Sequence, residues 1–435
     1  MRVKRRLFRF FHPVFTSFSI LLVFTAVVPA VQAQLTARGL GMGTAYTALA
    51  RGVHAPTWNP ANLGLPDNPK FSMSFINLGA AVNNNSFTLG DYNKYVGQYW
   101  DDQDEAYILN QIPDSGLRLN ARSSARALSF SAGQFAFILG AEFGTYFQVD
   151  KSLFELLLTG NELNKMYSLD QTSSEMVATG IVSLSWGQPI EVEFADFFSV
   201  GGTLRLYQGF VYANIEQAQI GILTTASDFS LNADYRLNYA VSDSESVIKG
   251  DLSFGLDIGA AAQIHKDLTI SLGLANLFAS MPWPDPDSSQ VGYFHGDETT
   301  IEGFGDDIAD SSWTEYQSEL TSRIPVVLRL GAAYREGDFL ITGDYVQGFS
   351  KGPWTSTSPR FSVGTEWWGV KWLPLRTGIS MGGRIGFGTS FGFGIRAGGF
   401  KLDLGMMNRG FFWPSSSKGM LVALDIGLEL QPPEE

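Results

Sequence analysis

The sequence contains no cysteine, so no disulfide closes its loops and the fold rests on hydrogen bonding and packing. Histidine is nearly as scarce, with four in 435 residues. His54, His265 and His295 lie in three distant segments without metal-ligand spacing, so no zinc site is expected. Beyond the first 33 residues no stretch approaches eighteen uninterrupted apolar residues, which excludes membrane-spanning helices. Long Ser/Pro linkers, dividing charge blocks and short-period repeats are missing too, so the length does not resolve into two or three soluble domains. Basic charge is in short supply: 30 Lys+Arg face 43 Asp+Glu. Nucleic-acid binding is driven by cations that displace counterions from phosphate, so no nucleic-acid partner is expected.

What basic charge there is concentrates at the start. Arg2, Lys4, Arg5, Arg6 and Arg9 precede an apolar run from Val14 to Val28, no acid intervenes, and the segment ends Val31-Gln32-Ala33. This is the layout of a secretory signal peptide over residues 1–33, with cleavage expected before Gln34. The alternative is a retained anchor, since the apolar run nears spanning length. Cleavage would leave 25 basic against 43 acidic residues, a formal charge of −18.

The remainder alternates. Asp251 to Ala260 places Leu252, Phe254, Leu256, Ile258 and Ala260 on one face and Asp251, Ser253, Gly255, Asp257 and Gly259 on the other. Met420 to Leu430, Phe400 to Met406 and Val326 to Tyr334 repeat the split, and a period of two means strand. Soluble sandwiches alternate as well. Strands of about nine to eleven residues, however, match a tilted transmembrane strand better than the roughly five to six residues of a soluble one. About fourteen such segments can be read between residues 71 and 430, an even number as expected for a bacterial barrel. Short links alternate with long ones at 80–121, 148–174, 211–249, 278–324, 348–358 and 408–418, the expected pairing of tight turns with long outer loops. Ser230 to Ala240 also alternates but is surplus to the count and is assigned to an outer loop. Residues 278–324 hold ten acids and one basic residue, which makes the negative charge largely a loop property. The fold class expected is an all-β, transmembrane antiparallel barrel.

Between the expected cleavage site and the first strand runs Arg38 to Leu63, RGLGMGTAYTALARGVHAPTWNPANL. Asn accepts turn geometries, Pro fixes φ and removes a donor, and Ala permits close approach, so Asn59-Pro60-Ala61 reads as a stiff turn set against a wall. The pattern G-x-x-M-G-x-A followed by A-x-x-x-N-P-A-x-L, carried here by Gly39, Met42, Gly43, Ala45, Ala55, Asn59, Pro60, Ala61 and Leu63, resembles the opening segment of the FadL-type outer-membrane family. Thr44 stands where that pattern usually has a second glycine, and Asn62 also replaces a glycine. The resemblance implies a fourteen-stranded barrel over 71–435 with residues 34–70 as a hatch in its lumen. It also implies residence in the outer membrane of a Gram-negative-type bacterium and uptake of hydrophobic small molecules such as fatty acids or hydrocarbons. The same family includes PorV-type components of protein secretion, so the alternatives are a barrel that holds exported protein and a structural barrel. The partners implied are outer-membrane lipid and either a hydrophobic small molecule or an exported protein, with no cofactor and no metal. In the resembled channels a kink in the third strand opens the wall sideways, and Gly140 and Gly144 are the candidates for it here.

Other constellations point to structure. Gly388-Thr389-Ser390-Phe391-Gly392 matches the hydrolase pattern G-x-S-x-G, but it alternates within a strand where that motif needs a strand-to-helix elbow, so no enzyme is expected. Asp101-Asp102-Gln103-Asp104-Glu105 has no EF-hand order and reads as a solvated acidic loop, not a calcium site. Inward-facing Arg329, Arg376 and Arg396 are expected to pair with Asp257, Asp344, Glu366, Asp403 and Asp425 in structural charge ladders, the alternative being a selectivity ring. Leu153, Leu156, Leu157, Leu163 and Met166 suggest a short amphipathic helix in an outer loop.

Overall fold

The computed structural model describes residues 35–160, 162–224, 229–241, 251–284, 288–296, 309–315, 319–352 and 355–430; the expected signal peptide lies outside them. Fourteen strands form the wall: β1 Phe71–Asn84, β2 Leu117–Ala132, β3 Phe135–Val149, β4 Ser173–Ile190, β5 Phe197–Thr224, β6 Leu252–His265 and β7 Leu268–Leu277, then β8 Val327–Glu336, β9 Phe339–Gly348, β10 Arg360–Trp367, β11 Leu375–Gly382, β12 Gly388–Ala397, β13 Phe400–Arg409 and β14 Gly419–Leu430. Each pairs antiparallel with the next. β14 returns to β1, from Phe71↔Leu430 to Asn83↔Gly419, and closes the sheet. Closure matters because an open edge in lipid would strand its N–H and C=O groups without partners.

Side-chain burial is the reverse of that in a water-soluble protein, where charge is outside and large apolar groups inside. On β6, Phe254 is 57% exposed and Asp257 only 2%. On β14, Leu421, Ala423 and Asp425 are buried while Met420 on the other face is exposed. Ile341 and Phe361 point outward from β9 and β10 and Asp344 and Glu366 inward. The outer face is therefore solvated by hydrocarbon, and the chain crosses a membrane with strands. Among the described residues no helix is long and apolar enough to cross one.

One end of the barrel carries tight turns. Gly133, Gly337 and Gly398 open three of them with φ of 55°, 56° and 58°, the left-handed geometry that matches strand twist in two-residue hairpins. The other end carries the long links. β4 runs on to Ile190, so its link to β5 covers only 191–196, and the link between β11 and β12 spans 383–387. Ser230 to Ala240, expected in a loop, lies within a strand, Phe229–Val241, which pairs with the upper part of β5 and with Ser288–Gly296. It extends the sheet beyond the wall at the long-loop end. The acidic side chains of 285–319 lie outside the described residues.

Among the described residues there are five short α-helices: α1 Ala37–Gly41 and α2 Ala55–Trp58 ahead of β1, α3 Leu89–Tyr95 and α4 Asp102–Gln111 in the first long link, and α5 Lys151–Leu158 in the second. The acidic run at 101–105 builds the start of α4. Asp101 accepts from the Gln103 and Asp104 N–H groups at 3.0 and 2.9 Å and Asp104 reaches back, forming a capping box. The amphipathic helix expected from Leu153 onward ends at Leu158; Met166 belongs to a short strand, Met166–Ser168.

Candidate functional site

Residues 35–70 fold into the lumen and fill its turn-end half. Nearly every residue from Leu35 to Leu63 is buried. Local geometry makes this plug stiff. Asn59 caps the 3₁₀ turn Pro60–Gly64, its Oδ1 accepting from the Ala61 N–H at 3.0 Å, with Pro60 at the first position where its missing donor costs nothing. The Asn59 amide then donates outward to the Ala260 and Leu272 carbonyls of β6 and β7 at 2.9 and 3.1 Å. Asn62 ties the plug to itself, donating to the Thr47 and Ala50 carbonyls, and accepts from the Ser271 hydroxyl of β7. Gly43 and Thr44 both take positive φ, 67° and 68°. Thr44 thus occupies left-handed backbone that favours glycine, and its hydroxyl lies 3.3 Å from that of Ser362 on β10.

The wall accepts this backbone because its inward positions carry glycine. A Cβ at Gly331 would stand 2.7 Å from Thr47 Cβ, one at Gly392 2.9 Å from Gly41 Cα, and one at Gly405 2.9 Å from the Gly41 nitrogen. Gly364 and Gly378 face Met42 and Gly43 in the same way, and Gly201 faces Ala61. The polar faces of the strands, rich in glycine, are the imprint of the plug.

The inward charges grip it. Asp344 Oδ2 accepts from the Tyr46 and Thr47 N–H groups at 3.0 and 2.9 Å and from the Thr47 hydroxyl at 2.6 Å. Asp425 accepts from the Ala37 N–H at 2.8 Å and from the Asn77 amide. Glu366 takes a two-pronged contact from Arg38 of the plug at 2.9 and 2.6 Å, together with Arg376 at 2.5 Å and the Trp368 indole. Arg376 and Arg396 meet at Asp403, 2.7 and 2.8 Å away. Asp257 is held by Arg205, not by one of the three arginines considered from the sequence, and Arg205 also donates to the Pro56 carbonyl at 2.8 Å. Arg329 reaches the Trp58 carbonyl at 3.5 Å. Ser390, centre of the G-x-S-x-G match, sits within β12, accepting from the Gly43 N–H at 2.7 Å and donating to the Gly41 carbonyl.

Above the plug, toward the long loops, lies a cavity of about 120 Å³. Arg122 and Arg126 of β2, Arg205 of β5, Arg329 of β8, Arg360 of β10 and Arg384 of the 383–387 link all line it, with Glu142 the one carboxylate among the described lining residues. Thr57 of the plug forms part of its floor and accepts from Arg126 Nη2 at 2.5 Å. Arg384 is set by the Thr355 carbonyl and by the ring of Tyr146, 5.0 Å from its guanidinium carbon. Of these six arginines only Arg329 was singled out from the sequence. The signal for the others was partly there: Arg118, Asn120, Arg122, Ser124 and Arg126 share one parity, which switches to Ser129 and Ser131 across a register shift between Arg126 and Leu128. Gly140 also lines the cavity and lies opposite that shift, while β3 pairs with β4 in unbroken register through both Gly140 and Gly144. Among the described residues no cluster of His, Asp and Glu is placed to hold a metal.

The toluene transporter TbuX of Ralstonia pickettii shares this architecture, with a TM-score of 0.53 at 12% identity over 91% of this chain and 98% of that one. The toluene transporter TodX of P. putida aligns over 92% and 98% at 10% identity with a TM-score of 0.47, and a FadL homologue of Pseudomonas aeruginosa over 92% and 99% at 12% with 0.45. At such identities the likeness is one of fold, and the barrel with an N-terminal plug is the fold expected from the FadL-type resemblance. No curated protein matches the sequence. The model of a family of unknown function (DUF5723) matches residues 60–406, from the plug's Pro60 to β13, and the chain belongs to that family.

Proposed function

We propose that this protein is an outer-membrane channel of the FadL type, exported on a cleaved leader, that admits small molecules with a substantial hydrophobic part. The observation that carries the reading is the position of the arginine-lined cavity: it lies on the long-loop side and ends on a plug held by separate hydrogen bonds and ion pairs, with no covalent tie. Binding sites are typically such concave spaces with converging polar groups, and a plug held this way can shift without unfolding the wall. The toluene transporters of like fold support a hydrophobic solute. A second reading, a barrel that holds exported protein, draws on the exposed trio Phe411, Phe412 and Trp413 at the long-loop rim, since exposed apolar patches mark interaction sites.

Uptake of labelled toluene and of a labelled fatty acid into liposomes carrying the pure protein tests the channel. Uptake above protein-free liposomes is expected, with a further rise once residues 35–65 are deleted. Absence of uptake by both forms would overturn it, and co-purification of exported cargo would favour the second reading. A mature N-terminus at Gln34 is expected by mass spectrometry.

A further inference from the structure

A hydrophobic solute finds few apolar contacts in the vestibule, the cavity above the plug, because most of its lining side chains are polar. The apolar side chains of the loop-end lumen gather beside it. Val177 and Ile181 of β4 and Tyr207 and Tyr212 of β5 form one buried cluster with Ala279, Met281, Trp283 and Ile324. Each of the other buried apolar clusters among the described residues includes part of the plug. This one does not, and its Ile181 also lines the vestibule.

Half of the cluster comes from outside the wall. Ser280–Pro284 pairs antiparallel with Glu319–Arg323 as a separate two-stranded ribbon between β7 and β8. It lies inside the barrel: Ser253 and Gly255 share the inward parity of Asp257, Ser253 donates to the Ser280 carbonyl, and a Cβ at Gly255 would stand 3.0 Å from Ala279 Cβ. Met281 and Trp283 are fully buried there. The Trp283 ring stacks on Tyr212 with centroids 5.5 Å and planes 20° apart, and its N–H donates to Ser322 Oγ at 3.0 Å. The ribbon is nonetheless docked on the wall, not woven into it. Two described hydrogen bonds join it to the start of β6, from Ser253 and from the Asp251 N–H to the Pro282 carbonyl at 3.1 Å. Pro282 and Pro284 withhold donors, and a lone two-stranded ribbon is marginally stable. Its stem is strained as well. Asn276 and Phe278 take φ of 63° and 62°, left-handed backbone uncommon outside glycine, beside a register shift between β6 and β7. Such strain is found at switch regions. Asn276 holds the stem, accepting from the Tyr207 hydroxyl at 3.0 Å and donating to the Pro325 carbonyl at 2.9 Å.

We propose that the ribbon is a built-in stand-in for the solute: Met281 and Trp283 occupy the seat on Val177, Ile181, Tyr207 and Tyr212 that an aromatic hydrocarbon ring takes when the ribbon swings away on its stem. A flat apolar ring offers Tyr212 the stacking surface that the indole offers now, and Ile181 is where the seat meets the vestibule. The ribbon sets a threshold for binding, because the apparent affinity is the intrinsic one scaled by the fraction of molecules whose seat is free. The inference deepens the channel reading by naming the class of solute and the side chains that receive it, and it rests on that reading for passage but not for binding.

The test uses the full mature protein in liposomes, photolabelled with a diazirine-bearing alkylbenzene, with toluene as competitor and the labelled residues mapped by mass spectrometry. In the double variant Met281→Ala/Trp283→Ala, labelling of Ile181 and Tyr207 should rise at least about fivefold over the parent at equal probe, and toluene should suppress it. Tyr212→Ala also loosens the ribbon but takes away the ring of the seat, so labelling of Tyr207 should not rise. A second arm leaves the packing of the cluster in place and locks the ribbon. The chain has no cysteine, and the contact between Ser253 and Ser280 puts Ser253→Cys/Ser280→Cys in position for a disulfide. Oxidation should lower labelling of the seat at least about fivefold and reductant should restore it. Folding of each variant is checked by heat-dependent gel mobility, and the locked pair decides the matter if the double alanine variant does not fold. Labelling of the seat that ignores the lock, or a folded double alanine variant that labels no better than the parent, overturns the proposal. Labelling that obeys the lock without liposome uptake of toluene would keep the seat and remove the channel, whereas uptake without labelling of the seat would do the opposite.

Discussion

The two halves of the lumen use the same kinds of side chain in opposite ways. In the turn-end half, each carboxylate meets donors directly: Glu366 meets Arg38 and Arg376, Asp403 meets Arg376 and Arg396, and Asp344 and Asp425 accept from backbone N–H groups of the plug, with Asp344 Oδ1 and Arg376 Nη2 left over. In the loop-end half, six arginines line one cavity, and Arg126 Nη1 and Arg360 Nε and Nη2 are buried without a hydrogen-bond partner. A buried charge with its partner locks structure, and losing one member is costly because the other is stranded. The contrast separates the part of the lumen that holds the protein together from the part available to a ligand.

The sharpest way to break this comparison is to remove the busiest carboxylate. Glu366→Leu strands Arg38 and takes one of Arg376's two carboxylates, and should cost about 3–5 kcal/mol, read as a large fall in the temperature at which the detergent-solubilised barrel loses its folded gel mobility. A smaller loss is expected from filling the plug's imprint. Gly378→Val would drive a side chain into the Met42–Gly43 backbone, an overpacking worth about 1–3 kcal/mol, with raised protease sensitivity of residues 35–65 as a second readout. The smallest effect belongs to the vestibule. Arg360→Met removes a cation with two unpartnered nitrogens and should change stability by less than about 1 kcal/mol, because Asp344, the carboxylate beside it, keeps its bonds to the plug backbone. If Arg360→Met proved as damaging as Glu366→Leu, the two halves would be alike after all.

Much of the barrel was legible because a membrane wall imposes the simplest pattern a chain can carry, greasy and polar in alternation, and all fourteen strands read from it are present. The plug was legible from its position and from Asn59-Pro60-Ala61, whose local chemistry fixes a turn whatever surrounds it. The inward charges were legible as a set, yet their partners were not. Asp344 and Asp425 looked like members of ladders with arginine and in fact hold plug backbone, since parity tells which face a residue takes but not what lies across the lumen. The vestibule was the least legible part. Arg122 and Arg126 follow the alternation only until the register shift before Leu128, Arg360 opens its strand, and Arg384 comes from a five-residue link with no periodicity. These residues meet only because a closed cylinder brings strands β2, β5, β8 and β10 round to a common axis.

The central claim, that residues 35–70 are interlocked with the inner wall, can be tested by one measurement in a chain that has no cysteine of its own. Thr44 and Ser362 lie 318 positions apart in sequence with their hydroxyls 3.3 Å from each other, within reach of a disulfide after small rotations. In the variant Thr44→Cys/Ser362→Cys, purified in detergent, mild oxidation should produce a looped species with altered mobility on a non-reducing gel, reversed by reductant and matched by loss of maleimide-reactive thiol. Two thiols that stay free and reactive in the folded barrel would contradict it.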